Sequence, residues 1–261
     1  NQPIESQEFK VGTNLVPLPS KGLFYENKKD NVLIEYMTAN DENILSTPNF
    51  ISSGTVFEQL LRKKIKDTDV DINGLLTGDV NAILLALRVT AYGSDYTVGV
   101  IDPETGDEFE EVVDLGRINY KNLTILPNEH NLFDYTLPIS KKKVKFRLLT
   151  NKEEKDISDR VQSKMKLSRG VDFSLTDKLK AQIMEIDGNA DKIYISRYVE
   201  VMRPLDALKL RNYISEVEPN LDMTYEFTNP NTGRRFRTNI IFTARLFYPT
   251  IWLSENNLGT N

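Results

Sequence analysis

Two stretches of the chain carry the same turn chemistry. Asp102-Pro103-Glu104-Thr105-Gly106 leads to Phe109, and Asn229-Pro230-Asn231-Thr232-Gly233 leads to Phe236, both fitting x-Pro-x-Thr-Gly-x-x-Phe. Pro fixes the first bend and Gly permits a positive φ. Such a turn sets Asp102 beside Thr105 and Asn229 beside Thr232, the three-residue spacing at which a zinc ribbon keeps its thiolates. Asn and Thr are poor zinc ligands, and one carboxylate does not hold the metal alone. No metal and no cofactor is expected. Two readings stay open on local chemistry: a repeated scaffold without its metal, or two unrelated Asx-type turns of a common loop pattern.

Other constellations are weaker. Asp69, Asp71, Asn73 and Gly74 match the first half of a calcium-binding loop, but the twelfth position, where a bidentate Glu belongs, is Val80. A helix–helix loop is expected there. Lys141-Lys142-Lys143-Val144-Lys145-Phe146-Arg147 alternates, so Lys143, Lys145 and Arg147 share one strand face and Phe146 the other. An aromatic turned away from the charges does not stack on bases, so a solvated face or an acidic protein partner is expected. His130 is the single histidine, in an Asn-Glu-His-Asn loop, and no Gly-x-Ser-x-Gly turn or Gly-rich phosphate cradle accompanies it. Paired carboxylates carry little information, because 38 acidic residues always permit some pair. Neither catalysis nor a small-molecule substrate is expected.

Composition bounds the class. The chain has 261 residues, 39% hydrophobic and 27% charged, with 33 bases against 38 acids and a formal net charge of -5. That balance argues against a strongly basic nucleic-acid binder, and nucleic acid is not expected as a partner. Cysteine is absent, which removes disulfides, iron–sulfur clusters and thiol nucleophiles. No apolar run is long enough to span a bilayer and no signal-peptide pattern opens the chain. An initiator Met is expected before Asn1, and a soluble protein made in the cytoplasm with no membrane partner.

The elements that must position these residues follow from periodicity. Residues 1–17 form a polar arm, with its ordering left to a partner. Leu18-Pro19-Ser20-Lys21-Gly22 makes a turn toward Tyr25, Val32–Met37 a strand, and Thr38–Leu45 a polar loop. Thr55 with Glu58 makes a capping box before Phe57, Leu60, Leu61 and Ile65. A second helix runs from Asp79 to Ala91. The first repeated turn then joins two strands of a hairpin. Residues 117–170 read as a β-rich middle segment. Helices return at Ser174 (with Ile183 on its face), at Asp191–Met202 and at Pro204, a favoured first helical residue. The second repeated turn closes a hairpin over Met223–Phe242. Phe247, Tyr248, Pro249 and Trp252 make an aromatic end, half of it core and half suited to docking on a neighbour. The expected fold class is α+β: two helix-plus-hairpin halves, residues 18–116 and 171–261, flanking the middle segment.

In this order the motifs resemble the hub-subunit and hub-assembly family of T-even-type and related contractile-tailed phages. The resemblance rests on Leu18–Gly22 with Tyr25, Met37-Thr38 before Asp41-Glu42, and Leu76-Thr77-Gly78-Asp79. It continues through Arg88 with Tyr92-Gly93, Pro204-Leu205-Asp206, and Glu218-Pro219-Asn220-Leu221-Asp222. Family members carry Cys-Pro-x-Cys-Gly knuckles where this chain has its two turns, so Asp102, Pro103, Thr105, Gly106, Asn229, Pro230, Thr232 and Gly233 become structural turns without zinc. The resemblance implies a structural or assembly protein of a contractile-tail baseplate, part of a symmetric multi-subunit assembly. It would be made in the host cytoplasm and carried in the virion tail. Other tail and baseplate proteins are the implied partners, with Leu18, Pro19, Lys21, Tyr25, Lys143, Lys145, Arg147, Phe247, Tyr248 and Trp252 as contact candidates. The alternatives are a hub-associated cell-wall hydrolase and a tail-assembly chaperone absent from the virion.

Overall fold

Val32 and Ile34 alternate inward, and an apolar edge of this kind needs a partner strand. Thr13–Pro17 (β1) supplies it, pairing antiparallel with Asn31–Glu35 (β2) so that Val16 faces Val32. The expected arm is thus corrected from Thr13 onward. The computed structural model describes residues 10–167, 172–240 and 244–247, and the start of the arm lies outside them.

A second correction follows at once. Ala39–Leu45, expected as a loop, is a helix (α1) opened by a capping box in which Asp41 takes the Thr38 backbone N–H at 2.8 Å. The acidic residues that read as loop are its first turn, where a helix favours negative charge. Pro48–Ser52 (α2) precedes Val56–Lys64 (α3), which buries Val56, Leu60 and Leu61. The expected Thr55 cap is not made: the Thr55 hydroxyl meets Ser53 at 2.7 Å, and Glu58 pairs with Arg62 at 2.9 Å.

Thr77–Tyr92 (α4) is the axis of the first core, burying Val80, Ile83, Leu84 and Leu87. It leads into the hairpin of Asp95–Ile101 (β3) and Glu108–Asp114 (β4). Asn119–Tyr120 (β5) follows. Phe133–Thr136 (β6) and Lys143–Phe146 (β7) then open a three-stranded sheet. The segment read as β-rich to residue 170 is corrected here, because Asn151–Leu167 is a helix (α5) that buries Ile157 and Val161. Few apolar residues mark it, so its period was hard to see. Ser174–Gln182 (α6) stops before Ile183, which opens strand Ile183–Ile186 (β8) beside β7. Lys192–Val201 (α7) and Pro204–Val217 (α8) complete the helices. Leu221–Asp222 (β9) returns to pair with β5, and Thr224–Thr228 (β10) with Arg235–Asn239 (β11) forms the last hairpin.

The fold is therefore α+β, with small antiparallel sheets set among helices. Its apolar cores cut across the expected halves. One gathers β1, β2, α3, α4 and the first hairpin together with Phe227, Phe236 and Phe247 from the end of the chain. A second joins the three-stranded sheet to α7 and α8 through Phe133, Phe146, Ile195, Val199 and Leu210, and a small third holds Leu149, Ile157 and Val161.

Candidate functional site: polar clasps between distant segments

The two repeated turns fold alike and meet each other. In the first, Gly106 N–H donates to Asp102 O at 2.8 Å; in the second, Gly233 N–H donates to Asn229 O at 2.8 Å. Both glycines hold positive φ, 76° and 70°. The leading side chain of each turn folds over it: Asp102 Oδ1 accepts from Glu104 and Thr105 N–H, and Asn229 Oδ1 from Asn231 and Thr232 N–H. Both leading residues are wholly buried.

They then bond across the junction. Asn229 Nδ2 shares its hydrogens among Asp102 Oδ2 at 2.9 Å, Asp107 Oδ2 at 2.9 Å and Thr105 Oγ1 at 3.2 Å. The assignment of its amide is forced, since a flipped oxygen would face two carboxylates and lose two backbone donors. Arg234, the counterpart of Asp107 in the second turn, reaches back to Asp102 Oδ1 at 2.5 Å and to Glu104 at 2.7 Å. Both crossing donors thus come from the second turn, and the first supplies the acceptors. The Asn229 amide, the turn N–H groups and Arg234 hold the Asp102 carboxyl well below the usual range, at about 2. Asp107 is also lowered, first by Asn229. Beneath the turns Phe109 meets Phe236 edge to face at 6.2 Å.

A second clasp gathers three motifs that lie far apart in sequence. Asp79, in the first turn of α4, accepts from Ser20 N–H at 2.9 Å and from the Tyr25 hydroxyl, which itself accepts from Leu76 N–H at 3.0 Å. Burial raises the Asp79 carboxyl despite these donors, and burial together with the Asp79 charge raises the Tyr25 phenol. Gly78 lets the chain after α8 come close: a Cβ there would lie 1.9 Å from Pro219 O. Asn81 reaches Asn220 at 3.4 Å on the same side.

Two further clasps follow the same rule. Arg88 donates to Leu246 O at 2.5 Å and to Gly93 O at 2.7 Å, and lies over the Tyr92 ring at 5.3 Å. Asp206 accepts from Ile139 and Ser140 N–H at 2.7 and 3.0 Å, pinning α8 to the loop between β6 and β7. A buried ion pair, Lys64 with Asp41 at 2.6 Å, ties α3 to α1. Burial alone would raise the Asp41 carboxyl, but Lys63, Lys64 and Thr38 hold it at about 2.

The contact candidates divide. Leu18, Pro19 and Phe247 are in the interior, with Phe247 against Phe57 at 5.2 Å, and Tyr25 is spent on Asp79. These four are corrected to internal roles, because each fills a core or satisfies a buried carboxylate. Lys21 and Lys143 are exposed. Lys145 pairs with Glu185 at 3.0 Å and Arg147 with Glu153 at 2.7 Å, so much of the basic stripe is neutralised within the chain. Tyr248 and Trp252 lie outside the described residues. His130 is exposed, its backbone N–H in the Asn128 turn.

Arg234, Lys64 and Arg88 were not singled out by sequence reasoning as site residues. Arg234 stands one residue after a turn whose counterpart there is an acid, and Arg88 belongs to the motif order that carries the resemblance, whereas Lys64 had no such signal. Among the described residues no cluster of three or more His, Cys, Asp or Glu side chains could hold a metal ion, and no helix is long and apolar enough to cross a membrane.

The clasps fall on the residues whose order marked the chain: Ser20 and Tyr25, Gly78 and Asp79, Arg88 and Gly93, Asp206, Pro219 and Asn220. Comparison with curated proteins and with solved structures gives no match. A family model described as T4 bacteriophage base plate protein matches residues 24–245, a span that contains all of these positions but Ser20. The chain belongs to that family and is a phage baseplate protein.

Proposed function

We propose that the chain is a structural or assembly protein of the baseplate hub region of a contractile tail, that it acts by binding neighbouring tail proteins, and that it catalyses nothing. The observation that carries this reading is the apolar surface left uncovered on α7 and α8. Ile193 and Val201 are 66% and 77% exposed, two helical turns apart on one face of α7, and Leu205 and Leu208 are exposed on the first turn and a half of α8. Isolated exposed apolar residues are ordinary, but a run of them along consecutive helices marks a docking surface. The same two helices expose Lys192, Arg197, Arg203 and Lys209, while Glu200 is already paired with Lys180 at 2.7 Å, so the surface suits a neighbour with acidic side chains beside an apolar patch.

The polar groups at the clasps support the same reading. Each buried one is engaged by another part of the chain, which is what a scaffold requires. Symmetric assembly and passage from host cytoplasm to the virion tail belong to this proposal.

The test is co-purification. The protein is expected to travel with assembled baseplates, and Val201→Asp with Leu205→Asp is expected to remove it from them while the isolated variant still melts cooperatively. Mass spectrometry of purified particles separates a retained component from an assembly factor that departs. Hydrolysis of purified peptidoglycan by the isolated protein would overturn the non-enzymatic reading.

A further inference from the structure

The two hairpins are equivalent position for position. With Asp102 matched to Asn229, Val100 corresponds to Phe227 and Phe109 to Phe236, all facing the core. The outward-facing positions correspond too, and there the charges are opposite. Glu108 and Glu110 on β4 stand where Arg235 and Arg237 stand on β11.

The first outer face holds Glu108 opposite Ile101 and Glu110 opposite Gly99, with Val112 opposite Thr97. Ile101 and Val112 are 60% and 58% exposed, a large apolar presence for a solvated strand face. Among the described residues neither Glu108 nor Glu110 has an ion-pair partner. On the second hairpin the Arg235 and Arg237 side chains are 77% and 74% exposed. Glu226 stands 3.8 and 3.6 Å from them, a loose pairing in water that leaves the face net positive. Since Phe109 meets Phe236 between the two inner faces, the outer faces are both left outward and free to meet other molecules.

We propose that the acidic outer face of the first hairpin docks on the basic outer face of the second hairpin of another copy of this chain. A second copy is the occupant that the charges select. Glu108 and Glu110 are spaced by the same two-residue step, about 7 Å of strand, as Arg235 and Arg237. A surface built on one backbone therefore meets its charge-inverted twin with both pairs in register. The apolar Ile101 and Val112 then lie against the aliphatic stems of the arginines, which cover apolar surface while their heads stay polar. The two faces differ, so the contact is head-to-tail and each copy keeps one face of each kind open. Repetition closes into a ring or extends as a filament. This contact stands on the hairpins alone and goes beyond the hub reading.

Sedimentation velocity on the isolated protein tests it. The wild-type chain is expected to self-associate at low salt and to dissociate as salt rises. E108R/E110R and R235E/R237E should each weaken self-association on the order of a hundredfold, as like charges across an interface cost several kcal/mol. Mixing those two variants should restore a complex, because each then presents the faces that the other lacks. Circular dichroism melts confirm that both variants fold, and E108Q/E110Q serves as a milder pair with a smaller loss. A wild-type chain that stays monomeric at low salt, association that survives both reversals, or a mixture that does not reassociate would each overturn the proposal. None of these results bears on co-purification with baseplates, so the two readings fail separately.

Discussion

The Asn229 side chain donates to Asp102 across 127 residues of chain, and this bond lies at the point where the two repeated turns touch. Hydrogen bonds to a charged acceptor are worth about 1.5–3 kcal/mol, and leaving a buried carboxylate short of donors costs more than the bond alone. Asn229→Ala is expected to lower stability by about 2–4 kcal/mol in chemical denaturation. Asn229→Asp should be worse at neutral pH, since it sets a second carboxylate against Asp102 and Asp107.

The same clasp predicts a pH response. The folded Asp102 carboxyl is depressed to about 2, below its unfolded value. The unfolded chain therefore binds more protons in the window between them. The stability Asp102 supplies is fully present above roughly pH 4 and is lost as pH falls toward 2. Denaturation midpoints of wild type and Asp102→Asn should converge across that window. A constant gap between them would show that the charge contributes nothing.

Glu218 predicts the opposite slope. Burial, with the Glu154 charge beside it, lifts this carboxyl to about 7 against the pull of Lys178 and Lys121. The folded chain keeps a proton that the unfolded chain has already released, so this group costs stability as pH rises from about 4.5 to 7. Glu218→Gln should melt several degrees higher than wild type at pH 8 and close to it at pH 4. Asp79, also raised by burial, adds a slope of the same sign in both proteins, so the difference between them isolates Glu218.

Gly78 tests the approach of α4 to the chain after α8. A methyl group there would sit 1.9 Å from Pro219 O and 2.7 Å from Asn220 Cα, both backbone atoms that cannot swing aside. Gly78→Ala is expected to cost about 3 kcal/mol or more, although alanine is the better helix former. A neutral or stabilised Gly78→Ala would show that α4 and Pro219 are not in contact in solution.

Arg88 anchors the turn at Ala244–Phe247 through the Leu246 carbonyl. Arg88→Met keeps much of the apolar stem but leaves the Leu246 and Gly93 carbonyls without their donor. About 2–3 kcal/mol should be lost, and limited proteolysis should cut sooner near residue 247 while the three-stranded sheet stays protected.

Strong periodicity made α4, α7, α8 and both hairpins legible in the sequence, and Pro204 sits at the start of α8 as its chemistry required. α5 escaped because Lys, Glu and Asp fill nearly half of it, with Ile157 and Val161 buried among its described side chains. α1 escaped because Asn-Asp-Glu suits a loop as well as a helix start. The turn repeat was visible, but the bond between Asn229 and Asp102 was not. Spacing within each turn says nothing about which distant turn it meets. Leu18, Tyr25 and Phe247 read as surface aromatics and apolars, whereas long-range packing put them to internal use.

The placement of the last hairpin also sets an order on folding. Phe227, Phe236 and Phe247 complete the core that β2, α3 and α4 begin. The first core is therefore expected to close only after the last hairpin has been synthesised. A nascent chain cut short before residue 227 would keep that apolar surface bare and Asp102 without its Asn229 and Arg234 partners. Exposed apolar surface of that kind invites aggregation, so a chain truncated before residue 227 is expected to be less soluble than one that carries the last hairpin.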